Sequence, residues 1–145
     1  MIGEDISALA NTATLNDRDY AYMIWGIDDK THEIIGTKVR LQMEKKGEQE
    51  LENWLRYMLS KNADFEFYDA EIDGKHVELI RIHKALNEPV SFQKVDYIRS
   101  GSYTKKLHEF PVFRAQLWDK LRHASLRMYA SRLTKDTKTS LDCFR

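Results

Sequence analysis

The stretch Tyr20-Ala-Tyr-Met-Ile-Trp-Gly-Ile-Asp-Asp-Lys-Thr-His-Glu-Ile-Ile-Gly36 decides how the chain must be arranged. Side chains of an extended backbone alternate between faces. Tyr20, Tyr22 and Ile24 therefore share one face, and Ala21, Met23, Trp25 and Ile27 share the other. A strand apolar on both faces is expected in the middle of a covered sheet. The polar run Asp28 to His32 then reverses the chain, and Glu33 to Val39 resumes with Ile34, Ile35 and Val39. This pattern predicts a hairpin with a long polar tip. Asp28 and Asp29 lie at that tip. A hard cation such as Mg²⁺ or Mn²⁺ takes carboxylate oxygens and leaves room for a substrate phosphate; equally, two acids simply solvate a turn. Neighbouring strand residues point to opposite faces, so only one of the two is expected to face any given site.

Outward from this stretch, Glu4 to Ala13 carries Ile6, Leu9, Ala10 and Ala13 at helical spacing, and Thr14 to Asp19 is polar. Beyond the basic connector Lys38 to Gly47, residues Glu48 to Ser60 give the clearest helix. Leu51, Trp54, Leu55, Met58 and Leu59 follow the i, i+3, i+4, i+7, i+8 pattern. Asp64 to Ile72 and Lys75 to Lys84 are two strands joined at Asp73-Gly74, a tight-turn pair. Pro89 breaks the chain, and Val90 to Gln93 and Val95 to Arg99 are short strand segments. Pro111 opens a second long helix with Phe113, Leu117, Leu121 and Met128 on or near one face. Hairpins with helices between them predict an α+β fold: a mixed, mainly antiparallel sheet with two to three packed helices. Residues 1–133 are expected to form one domain and 134–145 a disordered polar tail.

Composition sets limits. The 145 residues suffice for a real core. The net charge is zero, so no global field favours nucleic acid and any basic site must be local. The single Cys143 excludes a disulfide framework and a thiolate zinc site, in keeping with a cytoplasmic setting. No apolar run is long enough to span a membrane. None of the five histidines pairs at zinc spacing. There is no Gly-x4-Gly-Lys-Ser/Thr loop, which argues against ATP hydrolysis. Ser7 has no base assignable from spacing; Asn11 and Thr12 close the first helix and are expected to cap its C-terminus, the alternative being that they line the site beside the acid turn.

Four segments in order carry a resemblance: Ile6-Ser-Ala-Leu-Ala-Asn-Thr12, Trp25-Gly-Ile-Asp-Asp-Lys30, Glu33-Ile-Ile-Gly36 and Tyr97-Ile-Arg-Ser-Gly-Ser102. Together, with the helix Glu50-Leu-Glu-Asn-Trp-Leu55 between the second and last pairs of strands, they resemble the Schlafen AlbA-like domain over roughly Gly3 to Leu121. The resemblance implies a nucleic-acid-binding domain (DNA or RNA) of bacterial proteins described as transcriptional regulators, ATP-binding proteins or RecG-helicase-related proteins. In Schlafen nucleases it also implies three acids, two on an upstream Glu-x4-Glu segment and one at the Asp-Asp turn. Only Asp28 or Asp29 matches here, because the upstream segment is expected before Met1. The usual glycine pair after Ala-Asn is also replaced by Ala13-Thr-Leu-Asn-Asp-Arg-Asp19.

The resemblance directs attention to Tyr97, Arg99, Ser100, Gly101, Ser102, Tyr103, Thr104, Lys105 and Lys106 as a nucleic-acid-binding segment, with Lys94 and Arg114 extending it. Arginine suits phosphate, the hydroxyls donate, and tyrosines stack on bases. Without the resemblance, the same segment reads as a strand-to-helix turn with solvated lysines. The leading expectation is a nucleic-acid-binding module. The alternatives are a metal-dependent endoribonuclease fragment with Asp28 and Asp29 as catalytic and metal-binding acids, and an interaction domain that forms a homodimer through an edge strand or the last helix.

Overall fold

The computed structural model describes residues 1–143, excluding the side chains of residues 125, 128, 129, 131, 132 and 134–143. Its order is α1 (Ile2–Leu15), β1 (Tyr20–Trp25), β2 (Lys45–Lys46), β3 (Gln49–Glu50), α2 (Leu51–Met58), β4 (Phe65–Ile72), β5 (Lys75–His83), β6 (Ser91–Phe92), β7 (Val95–Ser100), β8 (Tyr103–Lys106) and α3 (Pro111–Cys143). Single 3₁₀ turns at Leu41–Met43 and Leu107–Glu109 lead into β2 and α3. The architecture is α+β, with antiparallel sheets and packed helices, as the sequence predicts.

The main sheet has the order β1-β5-β4. Strands β4 and β5 form the hairpin turned by Asp73-Gly74, both with positive φ (51° and 74°). That backbone suits the pair and matches the twist of the flanking strands. The structure corrects the reading of β1. It is an edge strand, not a central one, and its partner is β5, with Tyr20 opposite His83 and Trp25 opposite Glu78. Ala21, Met23 and Trp25 pack against the core, while Tyr20, Tyr22 and Ile24 stay exposed. The expected return strand, Glu33 to Val39, shrinks to a single bridge between Ile27 and Ile34. Gly26, at φ 103°, turns the chain away, its carbonyl accepting from the Ile35 and Gly36 N–H groups. Thr37 N–H then donates to the carbonyl of His76 on β5. An alternating pattern cannot tell a covered strand from one that simply shows aromatic side chains to water.

Helix α2 is shorter than its periodicity suggests. Leu51 and Leu55 are buried, as is Leu59 just past the helix end, and the two residues before it pair with β2. Helix α1 lies along β7 and does a strand's work there. Strand β6 begins only at Ser91, opposite Asp96, so β7 beyond that point lacks a strand partner on that edge. Three α1 side chains supply the missing bonds. Ser7 Oγ accepts from Tyr97 N–H (3.1 Å), Asn11 Nδ2 donates to the Tyr97 carbonyl (2.8 Å), and Thr12 Oγ1 accepts from Arg99 N–H (3.0 Å). Asn11 also brackets Val90, accepting from its N–H (2.8 Å) and donating to its carbonyl (2.9 Å), while Ser7 donates to the same carbonyl (2.7 Å). Asn11 and Thr12 are therefore interior residues that bind a strand, not caps. The C-cap is Asn16, four residues further on than Thr12.

The core lies between these layers, around Ile6, Leu55, Phe65, Ile80, Ile82, Phe92 and Ile98. Leu117 and Leu121 of α3 complete it. Met128, expected on the same face, has its side chain outside the described residues, as do the side chains of the expected tail from 134. Among the described residues, no helix is long and apolar enough to cross a membrane.

Candidate nucleic-acid interface

The segment 97–106 is a β-hairpin. Arg99 pairs with Thr104 and Ser100 with Tyr103 across the turn Gly101-Ser102, where Gly101 takes φ 61°. Residues opposite one another in an antiparallel pair share a face. Tyr97, Arg99, Thr104 and Lys106 therefore share one face, and Ile98, Ser100, Tyr103 and Lys105 share the other. The first set is partly committed. Arg99 Nη1 donates to Thr104 Oγ1 (3.0 Å), Thr104 donates to Asp5 Oδ1 (2.6 Å), and the Arg99–Asp5 ion pair is loose at 4.0 Å. The Tyr97 hydroxyl reaches Glu4 (3.4 Å), and burial, then the Glu4 charge, hold the phenol above its ordinary pKa. Tyr103, Lys105 and Lys106 are exposed, and the Lys105 ammonium lies 5.7 Å from the Tyr103 ring centre.

The two acids of the Asp-Asp turn have different jobs. Asp28 Oδ1 accepts the N–H groups of Lys30 (2.8 Å) and Thr31 (2.9 Å), closing the turn. Those donors, Thr31 first and then Lys30, favour the charged form and lower its pKa. Asp29 instead lines a groove of about 310 Å³ with Asp5, Leu9, Tyr22, Ile24 and Arg99. The acid turn and the basic segment, read separately from sequence, thus meet at Asp29 and Arg99. Among the described residues no three His, Cys, Asp or Glu side chains form a group able to hold a metal ion. Asp29 and Asp5 are accordingly an incomplete ligand set for Mg²⁺ or Mn²⁺, and no metal-borne step follows from them.

The family model described as Schlafen, AlbA_2 matches residues 1–108. The chain belongs to the Schlafen AlbA_2 family. No curated protein matches it. Among solved structures it is similar to the DIP2311 protein of Corynebacterium diphtheriae, at 20% identity with a TM-score of 0.41. That similarity covers 72% of this chain but only 17% of the other, so the chain spans a small part of that protein's length.

In this AlbA_2 domain, the Ser-Ala-Leu-Ala-Asn-Thr segment has a physical role: its polar residues at positions 7, 11 and 12 hold β7, and so the hairpin, in register. Sequence reasoning missed three features. Asp5 belongs to the groove, but one acid in a helix's first turn looks like a dipole partner. A second cleft, of about 540 Å³, lies on the α3 side of Arg99 and Gly101, with Thr12 and Lys120 among its lining residues. A third, of about 610 Å³, sets Lys84, Lys120 and Arg127 beside Asp17, whose carboxyl is held low chiefly by the hydrogen bond from Lys120 (2.8 Å). These residues are far apart in sequence and no spacing rule joins them.

Proposed function

We propose that this AlbA_2 domain binds nucleic acid, with the β7–β8 hairpin gripping the phosphate backbone. The family match over residues 1–108 carries the reading. The exposed Lys105, Lys106 and Tyr103 support it: they project from a hairpin braced by α1 and combine mobile charge with a stacking ring. The net charge of zero makes this local patch the source of attraction. Ser100, Gly101 and Ser102 form the tip, where the glycine leaves the backbone open to a phosphate. The parent would be a cytoplasmic bacterial protein of the transcriptional-regulator or RecG-helicase-related kind.

Fluorescence anisotropy with labelled single-stranded RNA, single-stranded DNA and duplex DNA at two salt concentrations tests this. Affinity is expected to fall steeply with salt. Lys105→Ala with Lys106→Ala should lower the log–log salt slope by about 0.7–0.9 for each phosphate that is no longer neutralised. Salt-independent binding, or none at low salt, would sink the reading. Arg99→Ala should also weaken binding, but it loosens the Thr104–Asp5 link as well, so the lysines give the cleaner test.

The groove that Asp29 and Arg99 both line is the observation that favours the endoribonuclease alternative. RNA incubated with Mg²⁺ or Mn²⁺ is expected to stay intact. Cleavage abolished by Asp29→Asn, and kept in Asp28→Asn because the amide oxygen still closes the turn, would replace binding with catalysis. The unpartnered edge of β1 favours the homodimer alternative, which light scattering resolves.

A further inference from the structure

We propose that the open face of the β1-β5-β4 sheet is a stacking platform for unpaired nucleobases, separate from the β7–β8 hairpin. The inference rests on the nucleic-acid reading above and adds a second surface with its own chemistry. Strand register builds the face. Tyr20 lies opposite His83, Tyr22 opposite Arg81 and then Glu66, and Ile24 opposite Leu79 and then Tyr68. Tyr20, Tyr22, Ile24 and Tyr68 are 40%, 53%, 46% and 43% exposed, whereas the alternate residues Ile80, Ile82 and Phe65 are buried. The Tyr20 and Tyr68 rings are held in place. The Arg81 guanidinium lies 4.8 Å from the Tyr20 ring centre and 5.5 Å from that of Tyr68, and His83 meets Tyr20 edge-on at 5.3 Å.

The chemistry of this face selects its occupant. Glu66 pairs with Arg81 at 3.1 Å and accepts a hydrogen bond from the Tyr68 hydroxyl, so the platform is close to neutral and offers phosphate little. What remains is exposed π surface, on which any unpaired base can stack and the stacked bases of a duplex cannot. Tyr20 and Tyr22 stand two residues apart on one strand, about 6.8 Å. That is about twice the 3.4 Å repeat of stacked bases, so two neighbouring bases seated one on each ring are spread apart. The face is also continuous with the hairpin, because Tyr22 and Ile24 line the same groove as Arg99. One strand can therefore lay bases on the tyrosines and run its backbone past Arg99 toward Lys106, which shares its face.

The test is anisotropy on a labelled oligouridine and a labelled RNA duplex, with light scattering on the same samples. Tyr22→Ala and Tyr68→Ala should each weaken oligouridine binding roughly 5- to 150-fold and leave duplex binding unchanged. Tyr22→Phe, which keeps the ring, should bind as the parent does. These side chains are exposed, and circular dichroism is to be measured alongside to check that the variants fold. If the Tyr22/Tyr68 double variant binds oligouridine normally while Lys105→Ala with Lys106→Ala weakens it, the platform is wrong and the hairpin reading stands. If the parent binds neither probe, the nucleic-acid reading fails and the platform fails with it. A dimer that Tyr22→Ala dissociates would assign the face to a second copy of the chain and overturn the proposal.

Discussion

At the scale of single residues, a few side chains do work far out of proportion to their number. Asn11 is fully buried and ties α1 to β7 and to the segment just before β6 by hydrogen bonds to Tyr97 and Val90. Replacing it with alanine strands the Val90 N–H and the Tyr97 carbonyl in the interior, where an unpaired polar group costs far more than its bond contributes. Asn11→Ala should therefore cost about 2–4 kcal/mol in urea denaturation. Unchanged stability would show that α1 does not hold β7 in place. Gly3 is a second such position, for steric reasons. A Cβ built there lies 2.2 Å from the ring of buried Phe92, which Trp54 meets edge-on at 5.7 Å. Gly3→Ala gains up to about 1 kcal/mol of helix propensity. Overpacking of about 1–3 kcal/mol should outweigh that gain and lower the melting temperature. Neither role is visible in the sequence: an asparagine late in a helix reads as a cap, and a glycine early in one reads as a start signal.

At the scale of elements, the β4–β5 hairpin is the best-specified unit, and it carries a pH dependence. His76 on β5 meets Glu71 of β4 through Nδ1 (2.6 Å) and buried Glu78 through Nε2 (2.9 Å). The Glu78 carboxylate first, and then Glu71, stabilise the imidazolium and raise its pKa. The folded-state pKa is thus above the unfolded value of about 6.5. The stabilisation is complete below that value and disappears as pH rises through the raised folded pKa. Urea midpoints measured from mildly acidic to mildly alkaline pH should fall across that window, and His76→Gln should flatten the decline. A midpoint that rises with pH in the parent would contradict the pairing. The hairpin itself was legible because Asp73-Gly74 names its turn. Strand β8 was less so: four residues after a glycine resemble a loop until β7 is present to pair with them.

At the scale of the whole molecule, α3 is what the family match leaves out and the core still needs. The match ends at residue 108, yet Leu117 and Leu121 are buried in the common core, where α3 packs on α1. Uncovering both would remove about 3–6 kcal/mol of burial, a large share of the roughly 5–15 kcal/mol that holds a domain folded. A chain ended after Glu109 should lose cooperative thermal unfolding, while one ended after Arg122 should keep it. Equal melting curves would show that the helix is dispensable. By itself, the sequence determined the helices, the β4–β5 hairpin, the α+β class and the family, because periodicity, turn pairs and short ordered motifs act over a few neighbouring residues. Tertiary structure alone decided that β1 is an edge strand paired with β5 some sixty residues on. It likewise decided that Asp28 closes its turn while Asp29 meets Arg99 and Asp5 in one groove. Those outcomes depend on which distant strand captures each set of backbone hydrogen bonds. That competition is settled across the whole fold, where no local pattern records the result.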